Sequence, residues 1–177
     1  TTLLATATGT SDNNNITDAS TNNHSITVNG DAHAGTFSPF RSGGYSTYFD
    51  GTTDYIEHQG TFTLPAGTNA NWTIECWVNL DQVNLNQGIL RVSSTAAAGN
   101  NDDIYFSEQS GYINVACKAG GINSATSNYA MTANVWHHIA MVKYNGIVYL
   151  YNNGVYCGSV SDSNDYSGSY YIYGGLY

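Results

Sequence analysis

The stretch "WHHIAMVKYNGIVYLYNNGVYCGSV", residues 136–160, decides the fold. It carries two Asn-Gly pairs, Asn145-Gly146 and Asn153-Gly154, each set between runs of alternating apolar and polar residues. Both residue types tolerate the positive φ that a type I′ turn demands, so each pair predicts a two-residue hairpin turn. The segment then folds on paper as three antiparallel strands, Trp136 to Tyr144, Ile147 to Tyr151 and Val155 to Val160. Side chains alternate across a pleated strand, so Met141, Leu150 and Cys157 should line up across the three strands, with Ile139 and Val148 on the same face as a core. The opposite face collects Trp136, His138, Ala140, Val142, Tyr149, Tyr151 and Tyr156. Alternation alone leaves open which face meets the other sheet.

The same alternation sends His137 and His138 to opposite faces. A pair of strand histidines converges on a metal at i, i+2 spacing, and no third ligand sits at matching register. The reading is therefore a packed, hydrogen-bonded histidine beside Trp136. Working outward, "WTIECWVNL", residues 72–80, places Trp72, Ile74, Cys76, Val78 and Leu80 on one face and Thr73, Glu75, Trp77 and Asn79 on the other. The first set reads as core. Trp77 with Glu75 could stack a sugar ring and accept from its hydroxyls, or Trp77 could simply be packed.

Further short alternating runs are bounded by Gly, Asn, Asp and Ser clusters. They are Thr2 to Ala7, Ser25 to Val28, Ser46 to Phe49, Tyr55 to His58, Gln87 to Val92, Ile104 to Ser107, Tyr112 to Lys118 and Tyr170 to Tyr173. No helical period persists beyond about three turns. These runs predict an all-β sandwich or jelly roll spanning residues 1–177 as a single domain.

Composition limits the partners. Four Lys+Arg stand against thirteen Asp+Glu, a formal net charge of −9, which opposes docking on nucleic-acid phosphates or anionic lipid surfaces. No apolar run approaches the length that membrane insertion needs. Charged residues are 10% of the chain against roughly 25% in an average globular protein; Asn, Ser, Thr, Gly and Tyr fill the surface instead, which suits exposure outside a cell or on a virus particle. Cys76, Cys117 and Cys157 form neither a CxxC nor a close pair, so they read as buried free thiols; the odd count favours synthesis in a reducing cytoplasm, with one disulfide and one leftover thiol as the alternative for a secreted protein. No signal peptide is visible at Thr1, and excision from a longer chain stays open.

The acidic residues lack a catalytic arrangement. Jelly-roll glycosidases carry paired carboxylates on one strand face, and no such spacing occurs. Asp50, Asp54 and Glu57 in "FDGTTDYIE" form the nearest cluster, and their placement reads as turn chemistry. In "GNNDDIYF", residues 99–106, Asn101, Asp102 and Asp103 offer hard oxygen ligands of the kind calcium takes; the competing reading is an ordinary Asn-Asp turn. Candidate ligand-binding residues are Trp77, Tyr149, Tyr151 and Tyr156, since sugar binding needs aromatic faces beside polar side chains. Tyrosine also builds protein interfaces at low entropic cost, so the same surface suits either partner.

Four segments together carry a resemblance: "ITDASTNNHSITVNG", "YSTYFDGTTDYIEH", "WTIECWVNL" and "WHHIAMVKYNGIVYLYNNGVYCGS". In this order they resemble the laminin-G-like, concanavalin A-like jelly rolls, and the "SPF" before "YSTYFDG" with the "IECWV" strand is similar to forms found in tailed phages. The resemblance narrows the fold to a two-sheet antiparallel jelly-roll sandwich with ligand loops at its rim, where members bind carbohydrate, protein partners or calcium, and it does not imply an enzyme. It also implies a closing strand after the Tyr-Gly-Gly segment; the sequence stops at Tyr177, so the expectation is a strand supplied by a longer parent chain, by a neighbouring subunit or by another segment. The function expected is a non-enzymatic virion structural module, a capsid decoration or tail-fibre domain, adhering to surface glycans and to other virion or cell-surface proteins. The alternatives are a secreted, extracellular bacterial carbohydrate-binding module and an assembly domain without sugar binding.

Overall fold

The structure is a computed structural model and describes residues 3–10, 12–40, 42–95, 102–118 and 122–175. In chain order the strands are β1 (Ala5–Ala7), β2 (Ile16–Asp18), β3 (Ile26–Asn29), β4 (His33–Gly35), β5 (Ser46–Tyr48), β6 (Tyr55–Phe62), β7 (Trp72–Asn79) and β8 (Gln87–Ser93). They continue with β9 (Asp102–Gln109), β10 (Tyr112–Lys118), β11 (Ile122–Ala130), β12 (Trp136–Tyr144), β13 (Ile147–Asn152), β14 (Val155–Ser161) and β15 (Tyr170–Gly174). No helix occurs among the described residues, and none is therefore long and apolar enough to cross a membrane.

Two antiparallel sheets form a sandwich. One has the order β11-β10-β9-β8-β15-β6-β3 and the other β14-β13-β12-β7; β1-β2 and β4-β5 are separate two-stranded ribbons. The predicted hairpins are present. Tyr144 pairs with Ile147 and Asn152 with Val155, and the turn residues have φ of 49° and 76° at Asn145-Gly146 and 51° and 77° at Asn153-Gly154. Those values are the left-handed conformations a type I′ turn needs.

The core lies where the alternation places it. Ile139, Met141, Val148 and Leu150 are fully buried and face Ile104, Phe106, Ile113, Val115 and Cys117 of the larger sheet. Each large side chain so buried is worth about 1.5–3 kcal/mol. Trp72 is buried and Ile74, Cys76, Val78 and Leu80 pack against the same cluster. All three cysteines are free thiols; desolvation pushes Cys76 and Cys117 up to about 12, which leaves them unreactive.

Three features depart from the sequence reading. Leu150 pairs with Gly158 rather than Cys157, because a bulge inserts Cys157 as an extra residue that is nevertheless buried. A Cβ at Gly158 would stand 3.3 Å from the Thr126 carbonyl, so glycine there lets β14 close against β11. The strands β2, β4 and β11 were not expected; in β11, "INSATSNYA", the buried residues among those described, Ala125 and Ser127, are small. Finally, Lys143 sits on the core side of β12 and is fully buried. Its Nζ donates to Asp162 Oδ2 at 3.1 Å and to the Asn164 carbonyl at 2.7 Å, while Tyr166 OH donates to the same Asp162 oxygen at 2.8 Å. This satisfies a buried charge that would otherwise be costly.

Candidate functional site

The outer face of the β14-β13-β12-β7 sheet gathers the aromatic residues expected there. Its cross-strand rows follow from register: Trp77 beside His138, then Glu75 beside Ala140, Tyr151 and Tyr156, then Thr73 beside Val142, Tyr149 and Ser159. Trp77 is 43% exposed and Tyr156 53% exposed, while Tyr149 and Tyr151 are half-buried. The three tyrosines cluster, with Tyr156 tilted at 59° to Tyr149 and 70° to Tyr151 at centroid separations of 6.4 and 6.1 Å. Tyr156 OH lies 3.0 Å from Ser159 Oγ. All four predicted ligand-binding residues therefore share one solvent-facing surface.

The surface also contains residues that the sequence reading did not single out. The loop between β4 and β5 brings Phe37 to stack on Trp136 at 5.4 Å and Phe40 edge-on to Trp77 at 5.5 Å. Phe40 remains 73% exposed. Tyr144 belongs to the same face by alternation and is 60% exposed. The loop phenylalanines follow no period, so only tertiary structure could place them. Tyr144 was open to the alternation argument.

Polar groups are few. His138 Nε2 lies 3.3 Å from Glu75 Oε2, its ring is 5.2 Å from that of Trp77, and its backbone N–H donates to Asn153 Oδ1 at 2.8 Å. Among the described outward positions of this sheet Glu75 is the one carboxylate. His137 points the other way and is buried, with Nδ1 3.0 Å from Asn152 Oδ1 and Nε2 accepting from Thr132 N–H at 3.2 Å. That pattern holds the ring in place as a structural residue.

The calcium expectation falls mostly outside what is described. Asn101 lies outside the described residues, and Asp102 and Asp103 are the first residues of β9 rather than members of a free loop. A different trio, Asp31, Asp50 and Asp54, brings carboxylate oxygens within 4.8 Å of one another. Asp54 spends both oxygens on backbone donors, Asp31 N–H at 2.8 Å and Asp50 N–H at 3.0 Å. Asp50 accepts the Thr52 hydroxyl and the amides of Thr52, Thr53 and Asp54, bonds that hold its carboxyl down at about 2. These contacts make a loop latch, as the turn reading of "FDGTTDYIE" expected. Beside it lies an open depression lined by Asp12, Asn13, Asn14, Gly30, Asp31, Ala32 and His33.

Comparisons with known proteins bear on this geometry. The family model described as Concanavalin A-like lectin/glucanases superfamily matches residues 49–175. No curated protein matches the chain by sequence. Among solved structures, the receptor binding domain of botulinum neurotoxin D superposes with a TM-score of 0.69 at 16% identity, over 98% of this chain and 44% of that one. The binding domain of Paraclostridial Mosquitocidal Protein 1 gives 0.67 at 12% identity, over 98% and 47%. A polysaccharide lyase of family 18 gives 0.50 at 13% identity, over 86% and 74%. The chain thus spans less than half the length of the two binding domains, and at these identities the likeness is one of fold.

Proposed function

The chain belongs to the concanavalin A-like lectin/glucanases superfamily, and from that premise we propose that it is a non-enzymatic adhesion module on a virion surface, a capsid decoration or tail-fibre domain, that holds cell-surface glycans on the outer face of its four-stranded sheet. The observation that carries this reading is the convergence of Trp77, Tyr149, Tyr151 and Tyr156 on one solvent-facing surface beside Glu75 and His138. Flat rings stack on the apolar faces of sugars, and the polar groups between them take hydroxyls. A lone carboxylate there favours holding over cleaving, since hydrolysis uses a pair. Two of the similar solved folds are titled as binding domains, which supports a recognition role. The virion setting rests on the charge-poor, acidic composition and on three free cysteines.

The test is a glycan array probed with the wild-type protein and with Trp77→Ala and Tyr151→Ala. Binding of at least one glycan should appear and fall at least tenfold in each variant, with the melting temperature held. A blank array, or binding indifferent to both substitutions, would remove this face as the site.

One observation favours a second reading, assembly. Among the described residues β7 pairs only with β12, and its inward side chains Ile74, Cys76 and Val78 are only half-buried. An open edge of this kind accepts an added strand, from a neighbouring subunit or another segment. A peptide that completes the sheet should raise the melting temperature; no shift would count against assembly through this edge.

A further inference from the structure

We infer that Lys143 and Asp162 are the two halves of a self-made cross-link, condensing to an isopeptide bond between Nζ and Cγ once the sandwich has folded. The inference is independent of what the aromatic face binds. Lys143 on β12, Asp162 just beyond β14 and Tyr166 are all fully buried, and Nζ stands 3.1 Å from Asp162 Oδ2. That is the spacing of the pair before reaction. A carbon–oxygen bond of about 1.2 Å puts the carboxyl carbon about 4 Å from Nζ, a short approach from the roughly 3–3.5 Å of a reacting pair. Groups held so close behave as though present at about 10⁵–10⁸ M, and the site excludes the water that would favour the reverse reaction.

The neighbouring groups divide the two carboxyl oxygens by role. Oδ1 accepts the Asn164 backbone N–H at 3.1 Å and the Asn164 side-chain amide at 2.5 Å, two donors placed for the charge of a tetrahedral intermediate. Oδ2 accepts from Nζ and, at 2.8 Å, from the Tyr166 hydroxyl, so protons converge on the oxygen that has to leave. Nζ is anchored by a second bond to the Asn164 carbonyl at 2.7 Å. The Tyr166 ring lies 4.7 Å from Nζ and is itself backed edge-on by Trp72 at 5.9 Å.

The step balances without a co-reactant. The ammonium passes one proton to Oδ2, and the freed amine lone pair forms the bond to Cγ while Oδ1 takes up negative charge. Tyr166 then protonates the Oδ2 hydroxyl as its bond to carbon breaks, the nitrogen returns a proton to Tyr166, and one water departs. Condensation removes a buried charge pair whose desolvation is costly. The bond also ties β12 to the chain leaving β14, closing a covalent ring over residues 143–162 that restricts the unfolded state.

The experiment is the intact mass of the protein as expressed, measured after denaturation and followed by peptide mapping. The wild type should weigh one water less than its sequence, and mapping should recover a branched peptide joining Lys143 to Asp162. Lys143→Arg and Asp162→Ala should each restore the sequence mass. At equal times after synthesis, Tyr166→Phe should hold at least tenfold less linked protein; linkage to the wild-type extent would remove the phenol from the step. A wild type at its full sequence mass overturns the inference, as does a water loss mapped elsewhere, such as a succinimide at Asp50-Gly51. If the variants do not fold, the wild-type mass and map decide alone.

Discussion

His137 and His138 are adjacent in sequence and have opposite fates. His137 is buried between Asn152 and the Thr132 amide, whereas His138 faces outward against Trp77 and Glu75. Removing the first ring orphans the buried Asn152 Oδ1 and opens a cavity beside it, so His137→Ala should cost about 1–3 kcal/mol in urea denaturation. His138→Ala should stay within about 0.5 kcal/mol of the wild type, as a surface change does. A third histidine sets a pH dependence. His58 is buried, its ring edge-on to His24 at 4.6 Å, and desolvation together with the neighbouring His24 charge lowers its pKa from 6.5, against smaller opposing contributions from Asp18 and Glu57. Because the unfolded chain binds the proton more readily, the stability tied to neutral His58 is complete above 6.5 and is lost as the pH falls below it. His58→Gln should flatten that part of a denaturation-midpoint profile; an unchanged slope would assign the acid sensitivity to another group.

At the scale of elements, turns and their glycines decide register. Gly154 has a φ of +77° and open space, with nothing within 4 Å, where a Cβ would stand, so Gly154→Ala should cost about 1 kcal/mol from conformation alone. Gly30 has a φ of +72°, and a Cβ there would stand 2.2 Å from Asp54 Oδ1, the oxygen that takes the Asp31 amide. Gly30→Ala should therefore cost distinctly more than Gly154→Ala, a difference that paired thermal melts would read; equal costs would mean the Asp54 latch carries little stability. The sequence reading succeeded where a single local rule dominates. Asn-Gly pairs set two hairpins, and strict alternation in "WTIECWVNL" and "WHHIAMVKY" assigned core and outer faces. It stopped where the deciding interaction is distant in sequence. The bulge at Cys157 answers to Thr126 on another strand, the buried residues described on β11, Ala125 and Ser127, are small, and Lys143 is tolerated inside only because Asp162, nineteen residues on, meets it. For the same reason the shared face of Trp77, Tyr149, Tyr151 and Tyr156 was legible and the packing of Phe37 and Phe40 against it was not.

For the whole molecule, the account rests on one surface out of several. The sandwich has an outer aromatic face, an open β7 edge and a polar depression by Asp12, Asp31 and His33, and the central claim is that the first of these receives glycan. The direct measurement is a map of amide and indole chemical-shift changes in the labelled protein as a glycan positive on the array is titrated in. The account predicts that the largest changes fall on Trp77, His138, Ala140, Tyr149, Tyr151 and Tyr156. Changes centred on Asp12, Asp31 and His33, or along the β7 edge, would contradict it.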